Sequence, residues 1–252
     1  MKTIPLLILV SALTASHLLV AQSLEMDAAF HLSQPIGPMA RNMNNAFGLS
    51  LGLEKYFKTP FSAGLQMSFG NYGYQTSRQQ YTFSDGSVTE TNVNVGNNIF
   101  NMFLTGKHYL RNHKPVNPYL SAKAGWMWFS TNLTVEDPGD AFSCHPIESE
   151  IIARDNTYSV SGGAGLRLDF NTIFNRMEIQ RLFFDLNVHA THGGIVEYMN
   201  VRQDPRQPVP DRDIMVRFLN TQSQVVHEHH VGYLYSSVLS MMEYRFGVVY
   251  RP

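Results

Sequence analysis

The sequence predicts an all-β protein whose eight antiparallel strands form an up-and-down barrel. Three observations predict this fold. Eight segments alternate apolar and polar residues with a period of two, which is the spacing of side chains on the two faces of a strand. The links between the segments alternate between short and long. Charged residues make up 15% of the 252 residues, against roughly 25% in an ordinary soluble protein, so charged side chains cover little of the surface.

The first four segments place large apolar side chains on one face and small or polar side chains on the other. Each is close to the length of about 9 to 11 residues that lets a tilted strand cross a bilayer. In chain order, the apolar faces are Met26, Ala28, Phe30 and Leu32; Phe47, Leu49, Leu51 and Leu53; Phe61, Ala63, Leu65, Met67 and Phe69; and Phe100, Met102 and Leu104.

The last four segments repeat this pattern, and the sixth, TYSVSGGAGLRLDF at 157 to 170, sustains it over its whole length. The eighth carries Ser240 as an exception on its apolar side. The apolar faces are Leu120, Ala122, Ala124, Trp126 and Trp128; Tyr158, Val160, Gly162, Ala164, Leu166, Leu168 and Phe170; Leu182, Phe184, Leu186, Val188 and Ala190; and Val238, Met242, Tyr244, Phe246, Val248 and Tyr250.

The links support an up-and-down order. The shorter ones lie at 58 to 60, 111 to 117 and 171 to 180, and the long polar ones at 33 to 45, 71 to 98, 130 to 156 and 199 to 235. Short turns at one end and long loops at the other are typical of a transmembrane barrel. We call these the short-turn end and the long-loop end, and both chain termini are expected at the short-turn end.

The polar face decides what surrounds the barrel. In a soluble barrel this face would meet water, yet it is rich in glycine, which is unfavourable in an exposed strand. A lumen as narrow as that of eight strands must instead be filled by side chains, and glycine, serine and a few paired charges fit it. The alternative is that these are the solvated charges of a soluble barrel. The predicted internal ion-pair network is Glu25, Asp27, Glu54, Lys107, Lys123, Arg167, Asp169, Asp185, Glu243 and Arg245.

The apolar face is expected to contact lipid, and it carries aromatic residues towards the strand ends. Aromatic rings favour the headgroup level of a membrane. The predicted lipid-facing aromatics are Phe30, Phe47, Phe69, Trp126, Trp128, Phe170, Tyr244 and Tyr250.

The amino terminus predicts export. Lys2 precedes a mostly apolar run from 4 to 20, and small and polar residues follow, which is the pattern of a cleaved secretory signal peptide. We assign residues 1–22 to this signal and residues 23–252 to a single barrel domain, with cleavage near Ala21 or Gln22. The net charge of −1 gives no electrostatic reason for a nucleic-acid partner.

The sequence offers weak candidates for chemistry. Asp185, His189 and His192 could serve catalysis, but nothing indicates that a nucleophile, a base and an orienting acid converge, so no enzymatic activity and no cofactor are predicted. His227 and His229 would share one face of a strand and form a weak candidate metal site beside His230, although no metal is expected.

Three motifs carry a resemblance to a known family. The order of signal peptide, eight amphipathic strands, short turns, long loops and terminal strand MMEYRFGVVYRP resembles the small outer-membrane β-barrel family. The VAQS cleavage region and the SGGAGLRLDF strand resemble its Bacteroidota members, described as outer-membrane β-barrel or porin-family proteins. The terminus departs from the family, whose members usually end on an aromatic residue, because Arg251 and Pro252 follow Tyr250.

The resemblance implies an outer-membrane location, short periplasmic turns and long extracellular loops. It implies outer-membrane lipid and the outer-membrane assembly machinery as partners, with envelope proteins as further ones. The expected role is structural or adhesive, or a part in an envelope assembly, exercised through the loops around a largely closed polar lumen. Two alternatives are a narrow porin for small solutes and a soluble secreted lipocalin-like barrel that binds an apolar ligand.

Overall fold

The computed structural model describes residues 24–57, 60–82, 88–110, 115–136, 148–170, 181–200, 212–220 and 225–252. The predicted signal peptide, residues 1–22, lies outside the described residues. Within the described part of the chain, no helix has the length and hydropathy needed to cross a membrane.

Nine antiparallel strands make up this part of the chain, and eight of them close a barrel. The order is β1-β2-β3-β4-β5-β6-β7-β9-β8, and β9 also pairs with β1 from Met26↔Tyr250 to Pro35↔Met241. The predicted eight-stranded up-and-down barrel is therefore confirmed. The strands are β1 (Leu24–Pro35), β2 (Ala46–Tyr56), β3 (Phe61–Thr82), β4 (Val88–Tyr109), β5 (Val116–Val135), β6 (Glu148–Asp169), β7 (Leu182–Asn200), β8 (Arg212–Asn220) and β9 (Val225–Tyr250).

The short connections lie at one end of the barrel. The amide of Phe57 donates to the carbonyl of Phe61 at 3.0 Å, which closes the β2–β3 turn. The start of β1 and the end of β9 lie at the same end, since Met26 pairs with Tyr250. Both termini of the described chain are thus at the short-turn end, as predicted.

The strands at the long-loop end run further than the sequence predicts. Three of the links assigned as long loops, 71 to 98, 130 to 156 and 199 to 235, consist largely of strand. One of them contains β8, a ninth strand that pairs only with the outer part of β9. The prediction of loops at these positions was wrong because the apolar residues there change to the opposite face of the strand.

A belt of exposed apolar side chains surrounds the half of the barrel next to the short-turn end. Phe30 is 70% exposed and Leu104 is 69% exposed, on strands far apart around the wall. A belt this continuous is unstable in water and favourable in hydrocarbon. The barrel therefore spans a membrane through this belt, and the soluble lipocalin-like alternative does not fit it.

The interior of the other half contains two apolar clusters together with buried polar side chains, such as Thr131, whose hydroxyl donates to Asn97 Oδ1 at 2.7 Å. A short 3₁₀ helix, Met39–Arg41, joins β1 to β2 and buries Met39 completely. Polar side chains thus occur in the interior of both halves, and among the described residues the buried charged side chains lie in the half near the short-turn end. The cluster at the long-loop end is formed by Met39, Met43, Ala46, Tyr72, Ile99, Phe103, Met127, Phe129, Val196, Tyr198, Tyr235, Leu239 and Met241. A second cluster next to it contains Val93, Val95, Leu133, Val135, Met199, Val231 and Leu234.

Candidate functional site

Charged side chains that point inward meet in two groups inside the barrel. Alternation along each strand sends every second side chain to the lumen, and the antiparallel register brings lumen residues of facing strands to one level. We call the group nearest the short-turn end the basal network and the group above it the middle network.

The basal network joins five strands. Lys107 Nζ lies 2.7 Å from Glu54 Oε1 and 3.9 Å from Asp185 Oδ2. Arg167 Nη1 lies 2.8 Å from Glu25 Oε2, and its Nε lies 3.8 Å from the same Asp185 oxygen. All five side chains are nearly inaccessible to solvent, which is tolerable because each charge has an opposite charge beside it.

Aromatic and amide groups complete the basal network. The Tyr119 hydroxyl donates to Asp185 Oδ1 at 2.6 Å, and Asn187 Nδ2 donates to the same oxygen at 2.7 Å. The Lys107 ammonium lies 5.2 Å from the centre of the Tyr119 ring, a cation–π distance. No pattern in the sequence distinguishes Tyr119, because a tyrosine on the polar face fits many roles.

Arg251 joins the basal network from the carboxyl terminus. Its Nε donates to Glu25 Oε1 at 2.8 Å, and its backbone amide donates to the carbonyl of Arg181 at 2.9 Å. The guanidinium also lies 4.7 Å from the ring centre of Tyr56 and 5.2 Å from that of Phe183. The sequence carried one signal for this role: 251 continues the inward series of 243 and 245.

The middle network is smaller. Arg245 Nη2 lies 2.7 Å from Asp27 Oδ1, and Lys123 Nζ lies 2.8 Å from Glu243 Oε1. Arg245 Nε also lies 4.0 Å from the same glutamate oxygen, and two of its nitrogens donate to Ser50 Oγ at 3.1 and 2.8 Å. Together the two networks contain equal numbers of opposite charges. The carboxylates are Glu25, Asp27, Glu54, Asp185 and Glu243, and the cations are Lys107, Lys123, Arg167, Arg245 and Arg251.

Asp169 is the remaining member of the predicted network. The structure places it at the short-turn end of β6, partly exposed, where its backbone amide donates to the carbonyl of Pro115 at 2.8 Å. It therefore lies at the rim of the interior and below the two networks.

The eight predicted aromatics lie on the outer wall. Two of them are partly covered by neighbours: Trp128 contacts Phe100 at 5.4 Å between ring centres, and Phe170 stacks on Phe184 at 5.0 Å. The other six are exposed, namely Phe30, Phe47, Phe69, Trp126, Tyr244 and Tyr250.

The residues considered for catalysis do not assemble into a triad. Ser121 Oγ lies 2.6 Å from His189 Nε2, but both residues are buried. The Asp185 carboxylate accepts hydrogen bonds from Tyr119 and Asn187, and His192 lies on the outer wall beside Ser240. Catalysis requires a nucleophile that substrate can reach, and neither Ser121 nor His189 meets that condition.

Residues 48 to 52, GLSLG, have the letter spacing of a hydrolase nucleophile elbow. An elbow requires a sharp turn from strand to helix, whereas these residues lie in the middle of β2. Ser50 is 1% exposed and donates to the carbonyl of Ala29 at 3.3 Å. The motif therefore forms part of the barrel wall.

The histidines near the start of β9 give no further support to a metal site. The side chains of His227 and His229 lie outside the described residues, and the His230 ring packs at 4.2 Å from that of Tyr233. In the part of the chain that the structure describes, no three potential ligands cluster as a metal ion would require.

Comparisons with known proteins give distant similarities only. No family model matches the chain, and no curated protein matches it. Neisserial surface protein A is 10% identical, with 91% of this chain and 96% of that chain covered and a TM-score of 0.43. A major outer membrane protein from Thermus thermophilus is 11% identical, with coverages of 90% and 98% and a TM-score of 0.45. The outer membrane protease OmpT from Escherichia coli is 8% identical, with coverages of 91% and 97% and a TM-score of 0.35. At identities and TM-scores this low, the similarities carry no argument about activity.

Proposed function

We propose that this chain is a non-conducting, non-enzymatic outer-membrane barrel that acts through its long-loop end in a structural or adhesive role. The observation that carries the proposal is that side chains fill the interior of a barrel whose outer wall faces lipid. A barrel that only transported solutes would not need both a charged network and an apolar core across its lumen.

The interior supports closure at two levels. Near the short-turn end, the basal and middle networks fill the lumen with side chains that bind one another across it. Towards the long-loop end, the apolar cluster around Met39 and Phe129 fills the same cross-section. A hydrated ion would have to break buried ion pairs and then cross an apolar layer, which is costly at both steps.

The long-loop end supports a binding or scaffolding role. Strands β3 to β6 continue past the apolar belt with polar outer faces, for example at Ser130, Asn132 and Thr134. Extended strands hold the loops on a rigid base, and binding residues are often found on such loops. We infer that envelope proteins or external surfaces are the partners, with outer-membrane lipid around the belt.

The route to the membrane is also part of the proposal. The signal-like residues 1–22 would direct export, and the outer-membrane assembly machinery would insert the barrel. The resemblance of VAQS and SGGAGLRLDF to Bacteroidota members supports a source among those bacteria.

Conductance in planar bilayers tests closure. Purified refolded protein is expected to produce no discrete current steps at moderate voltage, because side chains held by ion pairs leave no path for ions. Regular steps of uniform size would instead favour the narrow porin.

Labelling of intact cells tests the orientation. The single cysteine, Cys144, is outside the described residues, and in the sequence it falls between Val135 and Glu148, which end β5 and begin β6 at the long-loop end. A membrane-impermeant maleimide is expected to label intact cells that express the protein, with Cys144→Ser as the matched control. Labelling that appears only after the outer membrane is broken would reverse the proposed orientation.

Binding assays on whole cells test the adhesive role. Cells that display the protein are expected to bind surfaces or envelope fractions better than cells with the same membrane and no barrel. Equal binding, together with unchanged resistance of the envelope to detergent, would contradict both the adhesive and the structural role.

A further inference from the structure

The outer wall of β3, β4 and β5 changes from apolar to polar between two neighbouring rows of side chains. The last row of the apolar belt is aromatic and consists of Phe69, Phe100 and Trp128, which are in register on the three strands. The next outward row towards the long-loop end consists of Asn71, Asn98 and Ser130. The two rows are about 7 Å apart along the strands, so the boundary between hydrocarbon and headgroups falls between them.

Beyond this boundary the outer wall is rich in amides and hydroxyls. We call it the amide surface, and it comprises the outward side chains of β3 from 71 to 78, of β4 from 90 to 98 and of β5 from 130 to 136. Successive outward positions of β4 are Asn98, Gly96, Asn94 and Asn92. Asparagine and glycine are both disfavoured in strands, and threonine would suit a surface that only had to meet water. The amides therefore favour a surface that forms hydrogen bonds with a ligand.

Hydrogen bonds within the amide surface hold part of it in one arrangement. Asn92 Nδ2 donates to Glu136 Oε2 at 2.8 Å, and Asn94 Nδ2 donates to the other oxygen of the same carboxylate. The Thr76 hydroxyl donates to Asn94 Oδ1 at 2.7 Å. Side chains that are already fixed lose little conformational entropy when a ligand binds beside them.

The shape of the amide surface suits a sugar ring. Tyr74 is 63% exposed and lies against Gly96, where an added Cβ would be 3.7 Å from the tyrosine ring. A polar pocket of about 220 Å³ lies further along the same surface, and Arg78, Asn92 and Glu136 line it. A pyranose has C–H groups on its faces and hydroxyls around its edge, so it can pack on an aromatic ring while amides contact its hydroxyls.

The charge of the amide surface favours hydroxyl groups over phosphate. Among the described outward residues of these three strands, Arg78 is the one cation, and Glu90 and Glu136 are carboxylates. Phosphate is usually bound by several arginines or lysines, which this surface does not supply. Sugar hydroxyls need no opposite charge, because they both donate and accept hydrogen bonds.

We propose that the amide surface binds the saccharide headgroups of glycolipids in the membrane around the barrel. The surface is continuous with the apolar belt, so a lipid whose chains cover the belt places its headgroup against the amides. Tyr74 packs on a sugar ring, and the partly exposed Asn98, Ser130 and Thr134 bond to its hydroxyls. The assignment to the outer leaflet rests on the proposed function, which places the long-loop end outside.

Retention of glycolipid by the refolded mature chain in mixed detergent micelles tests the proposal. The probes are rough-type lipopolysaccharide, which carries a core oligosaccharide, and lipid A, which has the same acyl chains and phosphates without the core sugars. The captured barrel is expected to retain the core-bearing probe about tenfold better, as the gain of two hydrogen bonds would give. Both probes contact the belt alike, so their ratio measures the contribution of the core sugars.

Matched variants locate the saccharide contact. Tyr74→Ala is expected to bring the retention ratio close to one, whereas Tyr158→Ala, equally exposed but within the belt, is expected to leave it unchanged. The double variant Thr76→Val with Thr134→Val removes the hydroxyls on both sides of Asn94 and keeps β-branched side chains. It is expected to lower the ratio as well. Heat-modifiable migration on gels confirms that each variant remains folded.

Three results would contradict the proposal. Equal retention of the two probes by the wild-type protein overturns it. A preference that survives both Tyr74→Ala and the threonine double variant assigns the sugars to another surface, and overturns it too. Released core oligosaccharide that competes as well as the intact glycolipid would make a soluble glycan the ligand, against the continuity with the belt. Micelles have no two sides, so these outcomes are independent of the orientation, which the labelling of Cys144 tests.

Discussion

Arg251 contributes a charge that the interior needs. The five buried carboxylates of the two networks are matched by five cations only when Arg251 is counted. Its contact with Glu25 also forms where the last strand meets the first, since Met26 pairs with Tyr250. The ion pair therefore stabilises the β1–β9 contact that closes the barrel. It also gives a physical reason for the arginine that follows Tyr250.

Replacing Arg251 tests this role. We expect Arg251→Gln to reduce the free energy of unfolding by about 1.5 to 3 kcal/mol, since charged hydrogen bonds to a buried carboxylate are lost. Urea unfolding in detergent micelles measures the change. Arg41→Gln at the other end of the barrel is the control, and equal stability of the two variants would show that the terminal ion pair contributes nothing.

Gly165 is required by the ring that covers it. Tyr119 pairs with Gly165 across β5 and β6, and a Cβ at this position would overlap the tyrosine ring. The tyrosine hydroxyl could then no longer reach Asp185 in its present geometry. The sequence pattern places Gly165 on the polar face of β6. It does not show why a glycine is needed there, because the pattern does not identify the ring that covers it.

Gly165→Ala is expected to cost about 1 to 3 kcal/mol, the usual range for overpacking a filled interior. Gly162→Ala is the matched control on the same strand, since a Cβ there would meet nothing within 4 Å. The comparison uses the temperature at which the folded band disappears on gels. A control variant that loses as much as Gly165→Ala would contradict the interior packing described for Tyr119.

Strand β5 changes its apolar face along its length. From Leu120 to Trp126 its apolar residues are on the outer wall, whereas Met127, Phe129, Leu133 and Val135 are in the interior. The outer wall meets lipid in the first part and water in the second, so each part buries its apolar side chains away from water. The period-two alternation is compatible with strand in both parts. Only the first part was predicted as strand, because the prediction assumed that all apolar residues of a strand lie on one face.

An acidic substitution distinguishes the two parts of β5. Leu133 is 2% exposed, so Leu133→Asp places a carboxylate in the apolar cluster at a cost of about 3 kcal/mol or more. Thr134→Asp, one residue on, faces outward and is expected to be tolerated.

Hydrogen exchange measures the effect of these two substitutions. In Leu133→Asp, exchange is expected to accelerate in the outer parts of β4 to β6 and to remain slow in the belt. Uniform acceleration along the strands would mean that the outer part is not a separate packing unit.

At the scale of the whole molecule, the sequence predicted the barrel, its strand order and the end that carries the termini. These follow from period-two patterning and link length, which are local. The sequence does not show which charges pair with each other, because the pairing depends on the register of strands that are far apart in the sequence, such as β4 and β7. The end of the β6–β7 pairing at Ser159↔Gly193 could not be predicted for the same reason, since each of the two segments alone has the pattern of an ordinary strand.

The claim on which the account depends is that the apolar belt contacts hydrocarbon. The protein has two tryptophans, and both Trp126 and Trp128 lie on the outer wall of β5. Their fluorescence therefore measures the surroundings of the belt without any substitution. The measurement is quenching in vesicles whose acyl chains are brominated near the headgroups. We expect strong quenching by the brominated lipid and weak quenching by iodide in the water. Strong quenching by iodide, with emission unaffected by the brominated chains, would contradict the account.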